Sequence, residues 1–413
     1  MTAVAAAPVA RTARRVSDLP WPIWLFIVSM VVPAGLYFEI EGARIGPQRL
    51  VLLLAIVWVG HWLWRERALR LHDILILSAA LWGWGASFVT LPAVVAVERG
   101  GAFFLEVAVA YLLPSACLLT LLHLRLAVRA FVPVVGILAV LAAFEAVLGQ
   151  HFIARASAML MDAPNPFTAD QRLGLLRARA TFAHQILFGV FCASLFALFW
   201  FEARSTVERG VRTAIVATGV FFSLSSAAWI LLVLQAGLIV GERVTRPVRH
   251  RVPLLLTALV LVAVFLEIAV QGGVMGFVTR YMALNSDTAY YRQLIWSHVT
   301  DDILAHPLTG TGGAWTRLAW MVESIDQTYF AKSIRYGIPT MALLALGTLT
   351  VGLALARKPA AGVWHALKIG WVLGVLAIAL AGLTVDYFGR ALPYVMFLIG
   401  LGSALHRAAP CRH

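Results

Sequence analysis

Residues 213–241 read TAIVATGVFFSLSSAAWILLVLQAGLIVG. As one helix, these roughly 29 apolar residues would rise ~43 Å, which overshoots a ~30 Å hydrocarbon core but falls short of two full crossings. Ser223, Ser225 and Ser226 sit near the middle. The flanking arginines decide between the readings. Arg204, Arg209 and Arg212 precede the stretch, and Arg243, Arg246, Arg249 and Arg251 follow it. A single crossing would put the two clusters on opposite faces, whereas arginines concentrate on the cytoplasmic face. The stretch is therefore expected to fold as a hairpin of two short helices turning at the serines. Its irregular backbone must then be buried in protein or line a wet cavity.

The rest of the chain follows from that hairpin. Of its 413 residues, 61% are hydrophobic and 13% charged, and the mean hydropathy is +0.86. Soluble domains are about half apolar and a quarter charged. The apolar runs are long and do not alternate, which points to an all-α polytopic membrane protein and away from a β-barrel. Helices are expected near 21–40, 47–64, 73–91, 101–121, 127–148, 181–202, 253–271, 334–356, 364–384 and 388–406. With Arg11, Arg14 and Arg15 in the cytoplasm, the clusters Arg65/Arg67/Arg70, Arg125/Arg129, Arg204/Arg209/Arg212, Arg243–Arg251, Arg357/Lys358/Lys368 and Arg407/Arg412 all fall inside. The expectation is one integral domain over 1–413, about twelve helices and both termini cytoplasmic. The first helix lacks a small-residue cleavage site and is read as retained. The tails, 1–18 and 408–413, are expected to be disordered. Cys117, Cys192 and Cys411 fit neither a disulfide framework nor a metal site. The net charge of +13 is spread in short clusters between apolar runs, so the expected partner is the lipid bilayer and not nucleic acid.

Two larger loops, 149–180 and 272–333, then face outward, and both carry arginine against the topological trend. A bound anion is the plainest reason; headgroup snorkelling and loop salt bridges are the alternatives. The first loop ends in Arg177-Ala-Arg179-Ala-Thr181-Phe182-Ala-His184. If a helix starts near 177, then Arg177, Thr181 and His184 share one face, with Arg179 pointing elsewhere. A guanidinium fork at a helix mouth suits a phosphate. The second loop holds Arg292 and Trp296 one turn apart, then His306-Pro307-Leu308-Thr-Gly310-Thr-Gly312-Gly313. The Pro and Gly residues there force a tight loop with close backbone approach. Glu323, Asp326 and Tyr329 follow, with Lys332 and Arg335 just before the chain re-enters the apolar phase. Asp326 either does chemistry or caps the following helix. Trp296, Trp315, Trp320 and Tyr329 either stack on sugar rings or anchor at the interface.

The order of these pieces resembles the O-antigen ligase and polysaccharide polymerase superfamily of bacterial membrane proteins. Its Arg-x-x-Gly-Thr-Phe motif is matched by Arg177-Ala-Arg-Ala180-Thr181-Phe182, with alanine for glycine. Its Arg-x-x-x-Trp and His-Pro-Leu-x-Gly-x-Gly runs are matched by Arg292…Trp296 and His306…Gly312. Ligases of the family carry His-Asn where this chain has Asp326-Gln327, and the Asp, with Tyr329 and Tyr336-Gly337, looks more like the exopolysaccharide polymerase branch.

The resemblance implies a glycosyltransferase in the inner membrane that works on the periplasmic side. Its donor would be a glycan on undecaprenyl diphosphate. Its acceptor would be a hydroxyl of another lipid-linked repeat unit or, for a ligase, of lipid A core or protein. The leaving diphosphate asks for cations: Arg177 and Arg292 first, with Arg179, Lys332 and Arg335 in support. The acceptor hydroxyl asks for a base: Asp326 first, Glu323 second. His184, Trp296, His306, Gly310 and Tyr329 are expected to bind substrate. One displacement with one base inverts the anomeric centre. No metal or other cofactor is expected, and no Asp-x-Asp motif is present. A chain-length regulator and a flippase are the partners the family implies. Two rivals remain. A lipid-linked sugar transporter would use acids in apolar runs, here Glu106, Glu145 and Glu267, but no internal repeat is evident. A metal-dependent transferase using polyprenyl phosphate sugars would use Glu39 and Glu41.

Overall fold

The structure is a computed structural model. It describes residues 18–40, 43–65, 69–162, 170–245, 286–317, 325–358 and 362–408, and isolated helical positions between 257 and 269. The expected helix at 253–271, both tails, Glu41 and Glu323 lie wholly or mostly outside the described residues.

The chain is helical with two small hairpins. It runs through α1 (Trp21–Val28), β1 (Phe38–Ile40), β2 (Ala43–Ile45), α2 (Pro47–Arg65), α3 (Leu71–Thr90) and α4 (Ala93–Phe104). A π-helical turn (Leu105–Val109) leads into α5 (Ala110–Cys117), α6 (Leu121–Leu148) and α7 (Phe152–Leu160). Next come β3 (Gln171–Arg172), β4 (Leu175–Leu176), α8 (Gln185–Glu202), α9 (Thr206–Ser223) and α10 (Ser226–Val244). After them stand α11 (Ser286–Ala305), α12 (Thr328–Tyr336), α13 (Ile338–Ala356), α14 (Gly362–Ala381) and α15 (Ala391–Arg407). Both strand pairs are antiparallel. Among the described residues, seven helices are long and apolar enough to cross a membrane: α2, α3, α6, α8, α10, α13 and α14.

Residues 213–241 form the expected hairpin. Leu224 takes a left-handed conformation (φ 45°) between α9 and α10. The base of the hairpin is fixed by the Trp200 ring, which lies under the guanidinium of Arg209 at 5.1 Å and of Arg243 at 5.3 Å. Arg209 and Arg243, one from each flank of the hairpin, therefore sit at the same end. Its tip is buried in protein, as irregular backbone at that depth requires. Ser223 Oγ donates to Val220 O at 2.7 Å, Arg172 Nη1 donates to Leu224 O at 3.3 Å, and Ala178 N donates to Phe222 O at 2.9 Å.

The core is built on α8 and α15, which are buried almost all round, as uniformly apolar helices must be. Their neighbours come close through small residues. A Cβ on Gly370 or Gly374 of α14 would lie 2.9 Å from Leu198 Cα or 2.7 Å from Ser194 O of α8. This is the small-xxx-small packing of membrane helices.

Three expected elements differ. The first helix stops at Val28, because the chain turns through residues 29–35 and then pairs Phe38–Ile40 with Ala43–Ile45. The helix expected at 101–121 begins at Ala93, directly after Pro92, whose fixed φ suits the position before a first turn. The helix expected to start near 177 starts at Gln185, and residues 177–184 are irregular. Arg177, Thr181 and His184 therefore share no helix face.

A cationic cavity at the loop end of the helices

The two ends of the helical body treat arginine differently. At the end holding the α8–α9 turn, Glu202 is fully buried and accepts from Arg125 (3.0 Å), Arg129 (2.8 Å) and Arg212 (2.7 Å). At the same end Asp73, also fully buried, accepts from Arg407 Nη2 at 2.5 Å and from Tyr111 Oη at 2.9 Å. Buried carboxylates there pair with the guanidinium groups, which suits charges taken out of water.

The opposite end opens into a cavity of about 1060 Å³. Three pieces of the chain form most of its wall. One stripe of the helix running from 93 contributes Glu98, Arg99, Ala102, Phe103 and Glu106. Glu98, Ala102 and Glu106 follow at intervals of four, with Arg99 and Phe103 beside them, so they run along one face. Glu106 lies in the π-helical turn, a distortion common at functional sites, and Arg49 of α2 donates to it at 2.7 Å.

The second piece is α12, with Lys332, Arg335 and Tyr336. Lys332 is buried and donates to Asp386 Oδ1 and Tyr387 O, both at 2.9 Å. Arg335 Nη1 lies 3.8 Å from the other Asp386 oxygen. Burial holds the Lys332 ammonium below its usual range, with Asp386 opposing. Burial likewise pushes the Tyr336 phenol up to about 12, so it stays a neutral donor. Its ring stacks on Phe103 at 4.2 Å, tying α12 to the first piece.

The third piece is the Pro/Gly loop. Thr311, Gly312, Gly313, Ala314 and Trp315 line the cavity. The loop docks backbone to backbone on the end of α12. Thr311 N donates to Ile334 O at 2.7 Å, Ile338 N to Pro307 O at 2.8 Å, and Trp82 Nε1 to Leu308 O at 2.9 Å. Gly310 (φ 66°) and Gly337 (φ 84°) sit at this contact, where a Cβ would lie 2.4 Å from Ile334 O and 1.9 Å from Leu308 O. Only glycine tolerates both the backbone angle and the approach.

Of the residues expected to form the site, Lys332 and Arg335 line this cavity, and Gly310 sets the loop that does. The others stand elsewhere. Arg177 is buried and paired with Asp170 at 2.5 Å. Arg179 is buried, and its backbone N–H and that of Ala180 donate to Glu145 at 3.0 and 2.9 Å. His184 caps α8, its Nδ1 accepting from Ile186 N at 3.2 Å. Asp326 is half-buried on the lead into α12 and not in the cavity wall, and the cap position there is Gln327. Trp296 packs edge-on to Phe330 in a small apolar cluster with Ile295, Val299 and Ile334. Tyr329 donates to Ala379 O at 2.7 Å. His306 is exposed, with its carbonyl accepting from Gly310 N. Arg292 lies on α11, and its side chain is outside the described residues. Glu39 faces Arg44 at 3.8 Å across an exposed hairpin.

Sequence reasoning missed Arg49, Glu98, Arg99 and the 386–390 segment, and read Glu106 only as a transporter's acid. The 386–390 segment ties the two loops together. Asp386 and Tyr387 hold Lys332, while Arg390 Nη1 donates to Met30 O at 2.7 Å and to Thr181 Oγ1 at 3.0 Å. The available signal was the spacing of Glu98, Ala102 and Glu106 in one apolar run, which already puts two acids on one face.

Among the described residues the wall thus carries Arg49, Arg99, Arg317, Lys332 and Arg335 against Glu98 and Glu106, with Asp386 behind. A large polar pocket with excess positive charge suits a bulky anionic ligand. No family model and no curated protein matches this chain.

Proposed function

We propose that the protein is a membrane glycosyltransferase that polymerises undecaprenyl-diphosphate-linked oligosaccharide repeat units into surface polysaccharide. The cationic cavity carries this reading: it is large enough for sugars and charged for a diphosphate. The motif order shared with the O-antigen ligase and polymerase superfamily adds to it. In this reading the chain has about twelve spans in the bacterial inner membrane, both termini are cytoplasmic, and the cavity opens to the periplasm. Arg99, Arg335, Arg317 and Lys332 neutralise the leaving diphosphate, where negative charge grows as the glycosidic bond breaks. The sugar at the anomeric centre passes to an acceptor hydroxyl with inversion. Ligation of the glycan to lipid A core or protein is the second reading, since the same cavity serves any acceptor. A flippase that supplies the donor and a chain-length regulator are the partners this activity calls for.

Reconstituted protein incubated with native lipid-diphosphate-linked oligosaccharide, with and without EDTA, tests the proposal. A ladder of longer lipid-linked glycans, unchanged by EDTA, is expected. Transfer only on addition of a core-lipid or protein acceptor would make it a ligase. Movement of the lipid-linked sugar between leaflets without any transfer would sink the enzyme.

A further inference from the structure

We infer that Glu98 is the general base that takes the proton from the acceptor hydroxyl. The inference rests on the transferase reading above and names a residue that the sequence motifs do not. Three carboxylates stand at the cavity among the described residues: Glu98, Glu106 and Asp386. Glu106 is buried and bound by Arg49 at 2.7 Å. Asp386 is buried and bound by Lys332 at 2.9 Å, with Arg335 at 3.8 Å. A proton on either would break a buried ion pair and leave a cation uncompensated. Glu98 carries no such penalty. It is half-buried, lines the cavity, and makes no hydrogen bond or ion pair with any described residue.

Its position fits the role. Glu98 and Glu106 are eight residues apart on one stripe, so they stand ~12 Å apart along the helix. Arg99, the next residue, also faces the cavity and has no carboxylate partner among the described residues. The base is thus separated along the helix from the Arg49–Glu106 pair, with Arg99 beside it. In the step, the acceptor O–H proton passes to Glu98 while the acceptor oxygen bonds to the anomeric carbon. The bond from that carbon to the diphosphate oxygen breaks, and its electron pair leaves with the lipid diphosphate.

The test compares wild type, Glu98→Gln and Glu98→Asp in liposomes with the lipid-linked oligosaccharide. Donor binding and elongation rate are measured separately. Glu98→Gln is expected to bind donor within about twofold of wild type and to elongate at least about a hundredfold more slowly, the span of a lost general base. Glu98→Asp, which keeps a carboxylate, should restore part of the rate. Elongation by Glu98→Gln within about threefold of wild type would overturn the assignment and leave the transferase intact. Equal loss of donor binding and rate would also overturn it, making Glu98 a binding group. No elongation by wild type would remove the transferase reading and this inference with it.

Discussion

Lys332 shows how one residue couples fold and site. Its ammonium is buried and satisfied by Asp386 and Tyr387, and burial holds its pKa below the usual 10.5. The folded state therefore releases this proton at lower pH than the unfolded chain. Between the lowered value and 10.5 the unfolded state binds more protons, so this group's contribution to stability rises with pH. The cavity's charge moves the other way, because the same deprotonation removes a cation from its wall. Anion binding is accordingly expected to fall along an alkaline limb that begins below 10.5. Lys332→Arg should move that limb upward, because a guanidinium stays protonated there. A titration of anion affinity against pH checks this. Coincident limbs in the two proteins would show that Lys332 does not set the charge of the site.

At the scale of elements, the cavity depends on how the 306–313 loop sits on the α12–α13 junction. Gly337 lies there at φ 84° and ψ 161°, a region that only glycine enters without strain of about 1–3 kcal/mol. An added Cβ would also meet Leu308 O at 1.9 Å. Gly337→Ala is expected to lower the melting temperature in detergent by several degrees and to loosen the loop that carries Thr311–Trp315. Gly237→Ala on α10, where a Cβ meets nothing within 4 Å, serves as the control and should melt with wild type. Equal melting of the two variants would mean that the glycine contact does not hold the loop.

The same elements show what the sequence made legible. The helical class, the hairpin at 213–241 and the Pro/Gly loop were readable, because apolar length, arginine placement and backbone-permissive residues act locally. Arg177 and Arg179 stand away from the cavity, which the sequence could not show, because an arginine in a polar loop looks the same there whether it faces a ligand or Asp170. Glu98, Arg99 and Asp386 were passed over because their meaning is tertiary. Only packing brings the start of α4, the end of α12 and the loop before α15 to one wall.

Across the whole molecule, charge is divided by end. Arg125, Arg129, Arg212 and Arg407 are bound to the buried Glu202 and Asp73 at one end, while at the other the described cavity wall carries more cations than carboxylates and is open to a ligand. The central claim is that this excess holds a lipid-linked diphosphate. The most direct test is the affinity of the protein in nanodiscs for undecaprenyl diphosphate. Wild type, Arg99→Ala, Arg335→Ala and, at the opposite end, Arg204→Ala would be compared. Each cavity variant is expected to bind about tenfold more weakly or worse, as loss of one hydrogen bond to a charged group predicts, and Arg204→Ala should match wild type. Unchanged binding in both cavity variants, or an equal loss in Arg204→Ala, would contradict the account.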